Sequence, residues 1–191
     1  MRTFIAIEIS DDICGALAQI QSRLKYAGAD VKWVEPRNIH LTLKFLGEIT
    51  EEKAGKIKSI LDDIGSRTKP FEINLKEIGA FPRIESPRVI WVGLDKGAKE
   101  SVELAGRIDD ELSNIGFAKE SRPFAAHLTL GRVKSPKNKE VLKEKVMSSG
   151  SFQLSAISCQ LIKSIVLFKS TLTPHGSIYT KLHESHFKAE S

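Results

Sequence analysis

Two stretches of the chain alternate apolar and polar residues about one tetrapeptide, His-Leu-Thr-Leu, at His40 to Leu43 and again at His127 to Leu130. Side chains two apart on a strand share a face, so His40 and Thr42 point one way while Leu41 and Leu43 enter a core. The same parity sets His127 and Thr129 against Leu128 and Leu130. Thirty-six positions before each histidine an aromatic-led apolar run ends in an acid, Phe4-Ile5-Ala6-Ile7-Glu8 in one case and Trp91-Val92-Gly93-Leu94-Asp95 in the other. After each run the apolar period lengthens to that of a helix, through Ile13, Leu17, Ile20 and Leu24 and through Val102, Ala105, Ile108 and Leu112. After each motif comes a second amphipathic stretch. The first carries Ile57, Ile60, Leu61 and Ile64, and the second carries Val141, Leu142, Lys145 and Val146 after a start signal at Ser135-Pro136. Strands are expected at Phe71 to Ile78, closed by a Phe81-Pro82 turn, then at Phe152 to Ile157 and at Leu161 to Phe168. Thr171 to Tyr179, with Pro174 and Gly176, reads as a hairpin loop into a last strand, Tyr179 to Leu182.

Each half therefore runs strand, helix, motif strand, helix, strand, strand. The pattern predicts one bilobal domain over residues 1–191, with pseudo-twofold halves of about 1–88 and 89–183 and a frayed tail over 184–191. The segment 83–95 has the pattern to pair with either sheet. Two lobes related in this way would set the two motif strands face to face across a cleft.

Composition narrows the picture only a little. The 191 residues, 41% hydrophobic and 28% charged, suit an ordinary folded protein. No apolar run reaches the roughly 20 residues a membrane span requires. The first apolar run is interrupted by Glu8, Asp11 and Asp12, unlike a signal peptide, so a cytoplasmic location is expected. Cys14 and Cys159 are too few for a disulfide framework or a zinc site. The net charge of +5 suits a phosphate-bearing partner without requiring one.

Paired histidines suit a reaction that adds water to one side of phosphorus while an alkoxide leaves from the other. One imidazole must be neutral and the other protonated, and an ordinary histidine titrates near neutrality. Thr42 and Thr129 would donate hydrogen bonds to phosphoryl oxygens between them. Zinc is the chemical competitor, but a third ligand is missing at short offset from either motif. His183 and His186 have ligand-like spacing in a charged tail and read as solvated surface. Arg132 lies five residues after His127, on the opposite parity unless a bend at Gly131 redirects it. Lys44 continues the parity of His40 and Thr42 into the cleft. Phe45, Tyr179, Trp33 and Phe124 are candidates for stacking a terminal base, with core packing expected for at least two of them.

The paired motifs resemble the two-histidine phosphoesterase superfamily, and within it the bacterial and archaeal RNA 2′,3′-cyclic phosphodiesterases, also called 2′-5′ RNA ligases. The likeness extends over Phe4 to Ile7, Val31 to Val34, Asn38 to Gly47, Arg122 to Phe124, His127 to Arg132, and Leu167 to Ser170 with Gly176 and Tyr179. It implies an α+β, two-lobed duplicated fold, with antiparallel-rich sheets flanked by helices about a central cleft. It also implies opening of an RNA 2′,3′-cyclic phosphate to a 2′-phosphomonoester, with reverse ligation to a 5′-hydroxyl as a companion activity. In the family's pattern His40 is the proton donor and His127 the proton acceptor, and Thr42 and Thr129 hold the phosphate; Arg132, Lys44, Phe45 and Tyr179 are secondary substrate-contact candidates from their own parity and chemistry. The resemblance implies no metal or cofactor; the expected partner is an RNA 2′,3′-cyclic end, such as that of a tRNA fragment, and the chain is expected to act as a monomer. The alternatives are a phosphodiesterase of 2′-5′ oligonucleotides or small cyclic nucleotides, and a binding module that holds an RNA end without turnover.

Overall fold

The computed structural model describes residues 1–149, 159–174 and 176–188. In chain order the elements are β1 (Arg2–Glu8), α1 (Asp11–Lys25), β2 (Val31–Trp33), a 3-10 turn (Pro36–Asn38), β3 (His40–Glu48), α2 (Glu51–Ser66), β4 (Phe71–Phe81), β5 (Val89–Leu94), α3 (Ala98–Ser113), β6 (His127–Val133), α4 (Lys139–Ser149), β7 (Cys159–Ile162), β8 (Ser164–Thr173) and β9 (Gly176–His186). The helices begin where local chemistry favours them. The Ser10 hydroxyl accepts from the Ile13 N–H at the start of α1, ahead of Asp11 and Asp12, and Thr50 does the same for Lys53 ahead of α2.

The strands form two antiparallel sheets, in the orders β3-β1-β8-β9 and β2-β6-β5-β4-β7. The protein is thus α+β, with one motif strand in each sheet. The halves of the sequence interleave: β2 and β4 lie in the sheet of the second motif, and β8 and β9 in that of the first. The segment 83–95 pairs on both sides within the second sheet, through β5. Leu41, Leu43, Leu128 and Leu130 are buried as parity predicts, in one large core with the inner faces of the helices. Val102 and Val141, placed on apolar stripes by the sequence, are instead exposed, and Leu104 and Leu142 carry the buried stripes. A smaller cluster of Phe4, Ala6, Val166 and Phe168, with Tyr179 against it, lies on the other face of the first sheet.

Several expectations need correction. The run Leu161 to Phe168 is two strands broken at Lys163, where the chain passes from the second sheet to the first. Thr171 to Tyr179 is mostly ladder, since β8 and β9 stay paired out to Thr173 and Gly176. The last strand runs on to His186 and is followed by a buried Phe187, whose ring stacks 6.1 Å from Phe71. His183 is not merely solvated: its Nε2 lies 2.7 Å from an Asp62 carboxylate oxygen on α2. The fourth helix begins at Lys139 rather than at Ser135-Pro136. The strand expected at Phe152 to Ile157 lies outside the described residues.

Candidate active site

A cleft of about 970 Å³ opens between the sheets, and its walls include His40, Thr42, Phe45 and Tyr179 on one side and His127, Thr129 and Arg132 on the other. Its position follows from the packing of β3 against β6. Each motif strand carries the same irregularity. In β3, Thr42 pairs with Ala6 and Lys44 with Ile5, leaving Leu43 unpaired. In β6, Thr129 pairs with Trp91 and Gly131 with Ile90, leaving Leu130 unpaired. A bulge adds one residue and reverses the parity of the strand beyond it. Residues at offsets of zero, two and five from each histidine therefore share the cleft face, which brings Phe45 and Arg132 into it.

That reversal changes the parity of Lys44, which lines the cleft as expected but only from its buried margin. It pairs with Ile5 on the core side, and its side chain is buried at the margin of the cleft. Its ammonium donates to the Asp109 carboxylate and, at 2.9 Å, to the Ala118 carbonyl, with a Glu120 oxygen at 3.7 Å. A cation held this way is not offered to a phosphate. Arg132 has the opposite fate: it is exposed in the cleft and makes no ion pair among the described residues.

The two histidines are held alike. His40 Nδ1 lies 2.8 Å from the Asn38 carbonyl, and His127 Nδ1 lies 2.7 Å from the Ala125 carbonyl. A carbonyl only accepts, so Nδ1 carries the proton in each ring, and Nε2 remains to take or give another. His40 stacks on Phe4 at 4.7 Å and meets Tyr179 edge-on at 5.3 Å. His127 meets Phe81 edge-on at 5.0 Å, with Trp91 at 6.5 Å. These apolar walls have an electrostatic effect. Burial pushes the His40 pKa below that of an ordinary imidazole, against the opposing pull of the Asn38 carbonyl. Burial also lowers His127; the Ala125 carbonyl opposes it, and the Arg132 charge lowers it further.

Of the other aromatic candidates, Tyr179 and Phe45 line the cleft, with Phe45 63% exposed. Trp33 packs against the core under the Lys25 ammonium, outside the cleft, and Phe124 packs against the core while also lining the cleft. Sequence reasoning missed Phe81, because its contact with His127 crosses two strands. It also missed Arg2 and Arg88, which line the cleft without an ion pair among the described residues. The basic excess was the only sign of them. Among the described residues, no group of three or more His, Cys, Asp and Glu side chains is placed to hold a metal ion.

The model of LigT-like phosphoesterases matches the chain twice, over residues 7–91 and 92–179. The chain is 42% identical over 184 residues to the RNA 2′,3′-cyclic phosphodiesterase of Methanocaldococcus jannaschii, covering 96% of this chain and 99% of that one. It is 36% identical over 182 residues to the protein of the same name from Methanothermobacter thermautotrophicus, covering 95% and 96%. Among solved structures, TT0787 of Thermus thermophilus superposes with a TM-score of 0.80 at 25% identity, over the whole of both chains.

Proposed function

The chain belongs to the LigT-like phosphoesterase family, and from that premise we propose that it opens 2′,3′-cyclic phosphate ends of RNA to 2′-phosphomonoesters by acid–base catalysis between its two histidines. The observation that carries the proposal is the pair of histidines in one cleft, each with Nδ1 fixed on a carbonyl and a threonine two residues on. Water attacks phosphorus opposite the P–O3′ bond while His127 Nε2 takes its proton. The P–O3′ bond breaks, and O3′ receives the proton from His40 Nε2. The products are a 3′-hydroxyl and a 2′-phosphate, and solvent exchange resets the two rings. Thr42 and Thr129 donate to the non-bridging oxygens, and Arg132 offsets their charge. With a 5′-hydroxyl in place of water as the nucleophile, the same groups in the same roles join RNA ends through a 2′-5′ bond, and O3′ again leaves with the proton from His40.

Two features support this division of roles. The departing O3′ belongs to the terminal nucleoside, whose base needs an apolar platform, and Phe45 and Tyr179 supply one beside His40. Arg132 disfavours an imidazolium at His127, which suits a base. The bound phosphodiester anion favours the charged form of either ring, and Arg132 opposes this only at His127, so His40 is the ring that carries the proton. An RNA end such as that of a tRNA fragment, acted on by a monomer in the cytoplasm, completes the proposal; among the described residues no helix is long and apolar enough to cross a membrane.

The test is a short RNA ending in a 2′,3′-cyclic phosphate, incubated with the protein and a chelator and read by phosphorus NMR. Accumulation of the 2′-phosphomonoester is expected. A 3′-phosphomonoester, or bound RNA that never turns over, would sink the proposal. Turnover of a cyclic mononucleotide in preference to the RNA would move the substrate class.

A further inference from the structure

Lys44 lies in the first motif strand, yet all the partners of its ammonium lie on α3 or in the stretch that leads from it to the second motif. Residues 114–126 join α3 to β6 without a strand or helix of their own. The stretch leaves α3 through a backbone turn in which the Phe117 N–H donates to the Leu112 carbonyl. It is then gathered at one knot around the buried Lys44 side chain, with Asp109 half-buried and Glu120 exposed. Lys44 donates to Asp109 on α3 and to the Ala118 carbonyl, and both oxygens of Asp109 accept the Glu120 N–H at 3.2 Å. Burial raises the Asp109 pKa, but the hydrogen bond from Lys44, the Glu120 N–H and the nearby lysine charges outweigh it and keep the carboxyl ionised. Beyond Glu120 come Arg122, Pro123, Phe124 and Ala125, all lining the cleft. The stretch ends at the hydrogen bond from His127 Nδ1 to the Ala125 carbonyl.

We infer that Lys44 is a positioning residue, which holds the 118–126 stretch so that the Ala125 carbonyl fixes the tautomer and orientation of His127. The inference rests on the reading of His127 as the proton acceptor. His40 is fixed separately by Asn38, so the effect is confined to one of the two rings. Such a link makes the ion pair of the buried Lys44 with the half-buried Asp109 responsible for the alignment of the opposite motif. Small displacements of this kind matter, because a misplacement of about 1 Å costs on the order of a hundredfold in rate.

The experiment uses nitrogen NMR of histidine-labelled protein, without substrate, on Lys44→Met and on Lys44→Met/Asp109→Leu. The second variant replaces the ion pair by an apolar pair and leaves no charge buried alone, so it folds even where the first does not. In wild type both rings are expected to show the single Nδ1–H tautomer. In the variants His127 is expected to become a tautomer mixture and to titrate at lower pH, since the carbonyl that favours its imidazolium has moved. Arg132 remains the charged group acting on it, and the ring neighbours Phe81 and Trp91 carry no charge. His40 is expected to stay unchanged, and kcat on cyclic-ended RNA to fall roughly tenfold to a hundredfold. A His127 that keeps its tautomer and titration, or a His40 that changes alongside it, overturns the inference. The spectra do not require turnover, so a wild-type protein inert on cyclic RNA would sink the proposed function without touching this result.

Discussion

Phe45 and Arg132 occupy the same station in the two motif strands, five residues beyond His40 and His127 and on the cleft face of each. The unpaired Leu43 and Leu130 put them there. The cleft is therefore symmetric in its two histidines and two threonines and asymmetric in what flanks them: an aromatic ring on one side and a guanidinium on the other. That asymmetry gives a twofold arrangement a direction.

Phe45 is exposed, so removing its ring alters substrate contact far more than folding. Phe45→Ala is expected to raise KM for cyclic-ended RNA roughly 5- to 100-fold, the range for loss of one stacked base. Its unfolding free energy should stay within about 0.5 kcal/mol of wild type. Steady-state kinetics beside a urea melt checks both. An unchanged KM would remove the base from this wall.

Arg132→Ala takes away the proposed phosphate contact and a charge that depresses His127. We expect kcat/KM to fall by about two orders of magnitude. The His127 pKa should rise at the same time, because its imidazolium no longer faces a fixed cation, while His40 should titrate as before. Arg132→Lys should restore the titration but only part of the rate, since an ammonium cannot match the guanidinium fork. A proton NMR titration with kinetics separates the two effects.

The free protein should have both His40 and His127 titrating below about 6.5, the value of an exposed imidazole. As pH falls both rings stay neutral longer than a surface histidine. Inorganic phosphate bound in the cleft should bring the His40 transition back up by favouring its charged form. Proton chemical shifts against pH, with and without phosphate, provide the check. A His40 transition above the exposed value in the free protein would contradict the burial effect.

A Cβ at Gly79 would fall inside van der Waals contact of the Trp91 ring, which in turn faces His127. Gly79→Ala is expected to cost about 1–3 kcal/mol by overpacking and to lower kcat as Trp91 shifts. Gly15→Ala, with nothing near its Cβ on an exposed turn of α1, should instead stabilise the protein by about 0.5–1 kcal/mol. Thermal melts of the pair decide the matter.

Strand parity was enough to place His40, Thr42, His127 and Thr129 on one kind of face. It failed at the next residues because a bulge leaves no local sequence mark: Leu43 and Leu130 look like any buried leucine. Lys44 was therefore given the parity of His40, although it lines the cleft only from its buried margin, and Arg132 was tied to a bend at Gly131, when the shift occurs one residue earlier. The interleaved sheets were equally hidden, since pairing depends on contacts such as those of β4 with β7, whose partners lie some 90 residues apart. The break at Lys163 interrupts a continuous apolar run where the chain changes sheets, and periodicity cannot register that change. The tail read as frayed because chain ends usually are, although Phe187 is buried and anchors its described part.

The central claim is that His40 delivers the proton to O3′ and His127 takes it from water. A substrate with sulfur in place of the bridging 3′-oxygen tests this most directly, because a thiolate leaves without being protonated: thiols titrate near 8.5, far below alcohols. On the oxygen substrate, His40→Ala and His127→Ala should each lose about 10²- to 10⁴-fold in rate. On the sulfur substrate, His40→Ala should recover most of its loss and His127→Ala none. Recovery by His127→Ala instead, with His40→Ala still impaired, would contradict the assignment.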